Sequence, residues 1–261
     1  MGSSHTSAIR ILDQNDRMWQ SPHDDPECPY RNLLLRLMST ADLALLKPHL
    51  RKESLPLRTP LETANTPIEA VYFFETGIGS VVAKLRPEFD AEIRVIGFEG
   101  MTGSALIMGC DRSPHDCYIQ VEAEVLGMDA TPFAQALSDS PTLRLFLLHY
   151  VHYAHVQTSY TALANARLKL EARLARWLVM CDDRIAGDRL PVTHEFLSVM
   201  LGVRRPGVTV ALQVLEGRGL IRSNRGEVIV RDRDGLISLA DGSYGQPEAE
   251  YARLVGELAS P

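Results

Sequence analysis

The sequence predicts an α+β chain: an N-terminal antiparallel β-roll, a long dimerisation helix and a C-terminal winged helix-turn-helix. Three observations predict it. Short β-rich runs, separated by Gly, Pro and Asp, fill the stretch from Leu55 to Asp129. From Pro141 to Ala166, apolar and aromatic residues recur in alternating three- and four-residue steps. From Thr193 to Leu215, two segments of helical periodicity are split by Gly202.

Residues 1–30 are polar and carry Pro22, Pro26 and Pro29, so they read as a flexible leader. Residues 31–140 read as the roll domain. Its entry, Asn32 to Leu50, is helical: Leu33, Leu34, Leu37, Leu43 and Leu46 recur at helical spacing, with Ser39 or Thr40 as a break or cap. The strand candidates are residues 71–74, 79–83, 92–96 and 118–121. Such closely spaced strands suit a small antiparallel roll. Residues 141–166 read as the dimerisation helix. Phe146, Tyr150, Tyr153, Gln157 and Tyr160 form its heptad seam, which is expected to meet a partner helix.

Residues 167–240 read as the DNA-reading domain. Leu170, Leu174, Trp177, Leu178 and Cys181 give a supporting helix its core face. Thr193 supplies an N-cap hydroxyl to the next helix, whose apolar face is Phe196, Leu197, Met200 and Leu201. Gly202 follows, where a chain leaving a helix often needs positive φ. Arg204 and Arg205 open a second helix, and Pro206 suits its first turn, where a missing N–H costs nothing. A helix end carrying arginines is what a major-groove reader requires, because arginine meets guanine O6 and N7 with two hydrogen bonds. The run 220–230 then predicts a basic hairpin, with Arg222 and Arg225 at its tip. Residues 241–261 read as a tail closing in a short amphipathic helix.

Composition sharpens this. The chain has 261 residues and a net charge of −6. The charge is unevenly placed: residues 167–233 hold 13 Lys/Arg against 8 Asp/Glu, and the remainder holds 14 against 25. A basic domain attached to an acidic one fits a local nucleic-acid surface. No apolar run approaches a membrane span, no secretory signal is expected, and the four scattered cysteines contain no CxxC pair. A cytoplasmic protein that does not engage membrane is the expectation. No nucleophile elbow, P-loop, dinucleotide fingerprint or HExxH motif is present, so an enzyme is not expected.

The stretch RLARWLVMCDDRIAGDRLPVTHEFLSVMLGVRRPGVTVALQVLEGRGLI resembles the DNA-binding domain of the cyclic-AMP receptor protein/fumarate-nitrate regulator (Crp/Fnr) family. Residues 167–240 carry the resemblance strongly; residues 33–166 carry it by layout. It implies a homodimeric transcription regulator bound to palindromic double-stranded DNA, with RNA polymerase as a further partner. It places a guanine-reading arginine at Arg205. The neighbouring reading positions hold Pro206 and Val210, not a glutamate and an arginine, so a different operator is expected, with Val210 against a thymine methyl. Arg204, Thr193, Thr209, Gln213, Arg222 and Arg225 are the other candidate phosphate or base-edge contacts.

The resemblance also implies a cyclic-nucleotide-binding-like module with a phosphate cassette, matched here by Gly100 to Gly109 and Ser113 to Cys117. Ser104 stands where the family has a glutamate and His115 where it has an arginine. With Gly103, these mark the candidate effector pocket. Histidine is a poor partner for a buried phosphate at neutral pH, so weak or no cyclic-AMP binding is expected. No cofactor or metal is expected, and the effector is unknown. The alternative is an effector-gated haem, redox or small-ligand sensor whose DNA binding is conditional. Two further readings bear on it. His149, His152 and His155 form an HxxHxxH run, taken as polar flanks of a packed helix. Cys110 and Cys117 are taken as buried thiols rather than a redox pair.

Overall fold

The computed structural model describes residues 29–86 and 89–258. Most of the expected leader, including Cys28, lies outside the described residues. The N-terminal helical segment is two short helices, α1 (Leu33–Leu37) and α2 (Thr40–Leu46), followed by a 3-10 turn at Lys47–His49. The break falls at Met38, and Ser39 caps α2 by accepting from the Asp42 N–H. Asn32 caps α1 and is wholly buried. Its amide donates to the Phe74 and Gly100 carbonyls at 2.9 and 2.8 Å, which fastens the entry to the roll.

The roll contains β1 (Arg51–Leu55), β2 (Pro60–Glu62), β3 (Ala70–Phe74), β4 (Ile78–Lys84), β5 (Asp90–Ile96), helix α3 (Ser104–Ile107), β6 (Asp116–Val121) and β7 (Ala123–Asp129). They form two antiparallel sheets, in the orders β1-β7-β3 and β2-β6-β4-β5. Phe73, Phe98, Met101, Met128 and Phe133 are buried between the roll and the helices that flank it. Helix α4 (Ala130–Asp139) leads into α5 (Pro141–Arg167), whose N-cap Ser140 accepts from Leu143 N–H and donates to the buried Asp42.

Helix α5 corrects the expected dimer seam. Phe146, Tyr150, Tyr153 and Gln157 are buried inside their own chain, and Tyr160 is half-buried. Tyr150 donates to the Met101 carbonyl, and the Gln157 side-chain oxygen accepts from Val95 N–H at 2.9 Å. The physical reason is that α5 is apolar on nearly all sides, and this face meets the roll. The opposite face carries Leu145 and Leu163, 52% and 53% exposed. Leu148, His152, Val156 and Ser159 lie between them in steps of three or four residues, with Leu148 partly buried against the chain's own core and His152 beside Glu250 of α10.

Beyond α5 come α6 (Leu170–Asp182), β8 (Arg189–Leu190), α7 (His194–Leu201), α8 (Arg205–Gly217), β9 (Ile221–Asn224) and β10 (Glu227–Val230). Two more helices follow, α9 (Arg233–Leu239) and α10 (Gln246–Leu258). Asp232 is the N-cap of α9, its carboxylate accepting from Gly235 N–H. The tail is no loose end. Tyr251 and Val255 of α10 are buried against α1 and α5, and Tyr251 stacks edge-on against Tyr153.

One apolar cluster joins the roll to the C-terminal unit. Ile78, Val82 and Val95 of the sheet share it with Trp177, Leu178, Leu197, Met200 and Leu212. A buried ionic knot adds to it. Arg184 pairs with Glu99 at 2.7 Å and donates to Tyr153 Oη, while Tyr251 donates to the Glu99 carbonyl. The knot draws together α5, α10, the end of α6 and the turn after β5. Among the described residues, no helix is long and apolar enough to cross a membrane.

Candidate nucleic-acid interface

The helix-turn-helix forms as its sequence requires. The Thr193 hydroxyl accepts from Phe196 N–H at the start of α7. Gly202 ends α7 in the left-handed region, at φ +60, where a side chain would be strained. Arg204 is the N-cap of α8, and Pro206 sits in its first turn. Val208, Ala211, Leu212 and Leu215 bury the inner face, so Arg205, Pro206, Val210 and Gln213 point outward. Val210 is 55% exposed, although its own domain core lies one helix face away. A β-branched side chain gains nothing from standing in water on a helix.

The hairpin β9–β10 lies beside α8, with β8 on its other edge. Arg225 and Gly226 make the turn. Arg222 lies three residues back, opposite Ile229, and not at the tip as expected. Thr193, Arg205, Thr209, Gln213, Ser223, Asn224 and Arg225 border one concave face of about 800 Å³ between the two helices and the hairpin. Arg204, Arg205, Arg222 and Arg225 are exposed, and none pairs with an acidic side chain among the described residues. By contrast, Arg51, Arg112 and Arg253 each sit on a carboxylate. Thr209 is less available than expected. Its hydroxyl is shared between the Arg205 carbonyl and His194 Nδ1.

At the candidate effector pocket, Gly103 makes a tight turn into a short helix. Gly103 has φ +81, and a Cβ there would lie 2.4 Å from Val71 Cγ1. The short helix α3 then starts at Ser104. Two residues that motif reading passed over fill the site. Glu62 of β2 accepts from Gly103 N–H at 2.6 Å, and Arg94 of β5 reaches Ser104 Oγ at 3.4 Å. They come from strands distant in sequence, so no local signal marked them. Burial, and then Arg94, lowers the His115 imidazole from its ordinary value, which leaves it neutral at neutral pH. The Gly103 N–H is thus already engaged by a carboxylate of its own chain.

Of the other candidates, Cys117 is buried but Cys110 is exposed, against expectation. His152 faces Glu250 of α10 at 3.2 Å. No group of three or more His, Cys, Asp or Glu side chains is gathered around a metal-sized site among the described residues.

Residues 172–239 match the family described as the Crp-like helix-turn-helix domain. This chain carries a Crp-like helix-turn-helix domain. No curated protein matches the chain in sequence. Solved structures match its fold. A protein of Eubacterium rectale described as a Crp/Fnr-family transcriptional regulator has 17% identity and a TM-score of 0.64, over 80% of this chain and 98% of its own. A Crp-family transcriptional regulator of Thermus thermophilus has 20% identity and a TM-score of 0.59, over 74% and 97%. The c-di-GMP-responsive global regulator CLP of Xanthomonas campestris has 17% identity and a TM-score of 0.58, over 74% and 99%. The roll, the long helix and the Crp-like domain thus follow the architecture of Crp/Fnr transcriptional regulators.

Proposed function

We propose that the chain is a homodimeric transcription regulator that binds a palindromic operator through the Crp-like domain without cyclic AMP, and acts by contacting or excluding RNA polymerase. The observation that carries this reading is the unpaired basic end of α8, exposed beside a basic hairpin. Arg205 reads a guanine edge, Arg204 and Arg225 hold phosphates, and Val210 packs on a thymine methyl. The half-sites lie one turn apart, roughly 34–36 Å. Arg205→Ala is expected to cost about 1–3 kcal/mol of operator affinity and to relax one base position. Anisotropy titrations against an operator and its single-base variants measure this; equal weakening on every sequence would reduce Arg205 to a phosphate contact.

The dimer forms through the exposed face of α5. Leu145→Glu with Leu163→Glu is expected to leave the fold intact, since both side chains are exposed, and to yield monomers in sedimentation equilibrium. A dimer that survives both changes would place the interface elsewhere. The roll acts as a scaffold at its cassette, because Glu62 holds the Gly103 N–H and His115 is neutral. Calorimetric titration with cyclic AMP is expected to give no saturable heat; micromolar binding would show that Glu62 yields its place.

A further inference from the structure

We propose that a cavity between the roll and the helix-turn-helix binds a small zwitterion with an apolar body, of the aromatic α-amino-acid class, and that its occupancy raises DNA affinity. The cavity has a volume of about 440 Å³, within the size range of small-molecule sites. Pro60 and Tyr118 of the roll form one wall, and Phe196 and Val199 of α7 form the other. A flat apolar body fits between two aromatic side chains.

The charged groups at the cavity fall into two sets. Asp116 pairs with Lys84 and accepts from Ala64 N–H, and Glu62 accepts from Gly103 N–H, so both are engaged. Arg58 and Glu195 have no side-chain partner among the described residues. One open guanidinium and one open carboxylate at the same cavity complement a ligand carrying both charges, its carboxylate on Arg58 and its ammonium on Glu195. A second observation singles out Arg58. It holds φ +69, a region costly for a side-chain-bearing residue, and its N–H donates to the Ile119 carbonyl at 2.8 Å. Such strain persists where the surroundings enforce it, and it concentrates at binding sites.

The coupling to DNA rests on the DNA-binding reading above. Glu195 borders this cavity and also the concave face between α8 and the hairpin. A bare carboxylate there repels phosphates, and an ammonium on it removes that repulsion. By linkage, DNA then favours the ligand equally.

The test uses the full chain and isothermal titration calorimetry with L-phenylalanine, 2-phenylethylamine and 3-phenylpropionate. L-Phenylalanine is expected to bind at least about tenfold tighter than either analogue, each of which lacks one charge. Arg58→Gln should erase its advantage over phenylethylamine, and Glu195→Gln its advantage over phenylpropionate. Both side chains are exposed, and circular dichroism checks that the fold is kept. No saturable heat with L-phenylalanine, or binding unchanged in both variants, overturns the site. Operator affinity, measured at fixed salt, should rise with L-phenylalanine in the parent chain. In Glu195→Gln it should already be high and should not respond. Binding without that response overturns the coupling and leaves the site. Failure to select any operator overturns the DNA-binding reading, while calorimetry still decides the site.

Discussion

Replacing Arg184 by methionine is expected to destabilise the protein by about 3–5 kcal/mol, as when one partner of a buried ion pair is lost. Arg184 and Glu99 have 0% and 1% of their side chains exposed. Arg184 also donates to the Met180 carbonyl at 2.6 Å and to Tyr153 Oη at 2.9 Å. Its removal leaves the Glu99 carboxylate in the interior with no cation beside it, and one oxygen of that carboxylate already has no hydrogen-bond partner. Urea unfolding of the full chain measures the loss. Arg184→Met combined with Glu99→Gln should recover a large part of it, because the orphaned charge is then gone. A loss below about 1 kcal/mol in the single variant would mean that the knot does not hold the C-terminal unit to the roll.

The second large effect concerns Glu92, on the sheet face that meets α6. Its carboxylate is buried and accepts from Ser80 Oγ and Trp177 Nε1, both at 2.6 Å. Burial pushes its pKa up to about 7; the hydrogen bonds from Ser80 and Trp177 and the charge of Arg176 offset only part of that. At pH below the ordinary value of 4.5, folded and unfolded chains both hold the proton, and Glu92 contributes no pH dependence. Between 4.5 and about 7 the folded state keeps a proton that the unfolded state releases, so stability falls as pH rises. Above that window the loss is complete, at about 3 kcal/mol. Glu92→Gln keeps an acceptor for Trp177 and can donate to Ser80. It is expected to be about as stable as the parent at acid pH and more stable by about 2–3 kcal/mol above neutrality. Unfolding midpoints measured across the window decide this. Parallel pH profiles for the two proteins would mean that Glu92 titrates as an ordinary carboxylate.

What could be read from the sequence follows from where the information lies. Thr193, Gly202 and Pro206 act on their own backbone, so the helix-turn-helix was legible with its caps and turn. The strands at 71–74 and 79–83 stood out because Val, Tyr and Phe are concentrated there. By contrast, β1 reads RKESL and is largely exposed, which leaves no alternation to find. Helix α4 was hidden by Pro132 and by small residues. The dimer seam went wrong for a different reason. Helix α5 carries two rows of three- and four-residue steps on opposite faces, and periodicity cannot tell which one faces the roll. Only the fold shows that Tyr150, Tyr153 and Gln157 bond to the roll and that Leu145 and Leu163 do not. Glu62, Arg94 and the Arg184–Glu99 knot were illegible because each is a pairing across tens of residues of sequence.

These pieces describe a chain whose Crp-like domain is fixed to its roll by a shared core and a buried ion pair, with the Gly103 N–H held by its own Glu62. The most direct test is in vitro selection of random duplex DNA on the purified, ligand-free chain at a stated salt concentration. A palindrome with half-sites one helical turn apart, enriched without any added effector, is the predicted result. No enrichment by a protein that is folded and dimeric would contradict it, because the exposed end of α8 would then not suffice for reading DNA.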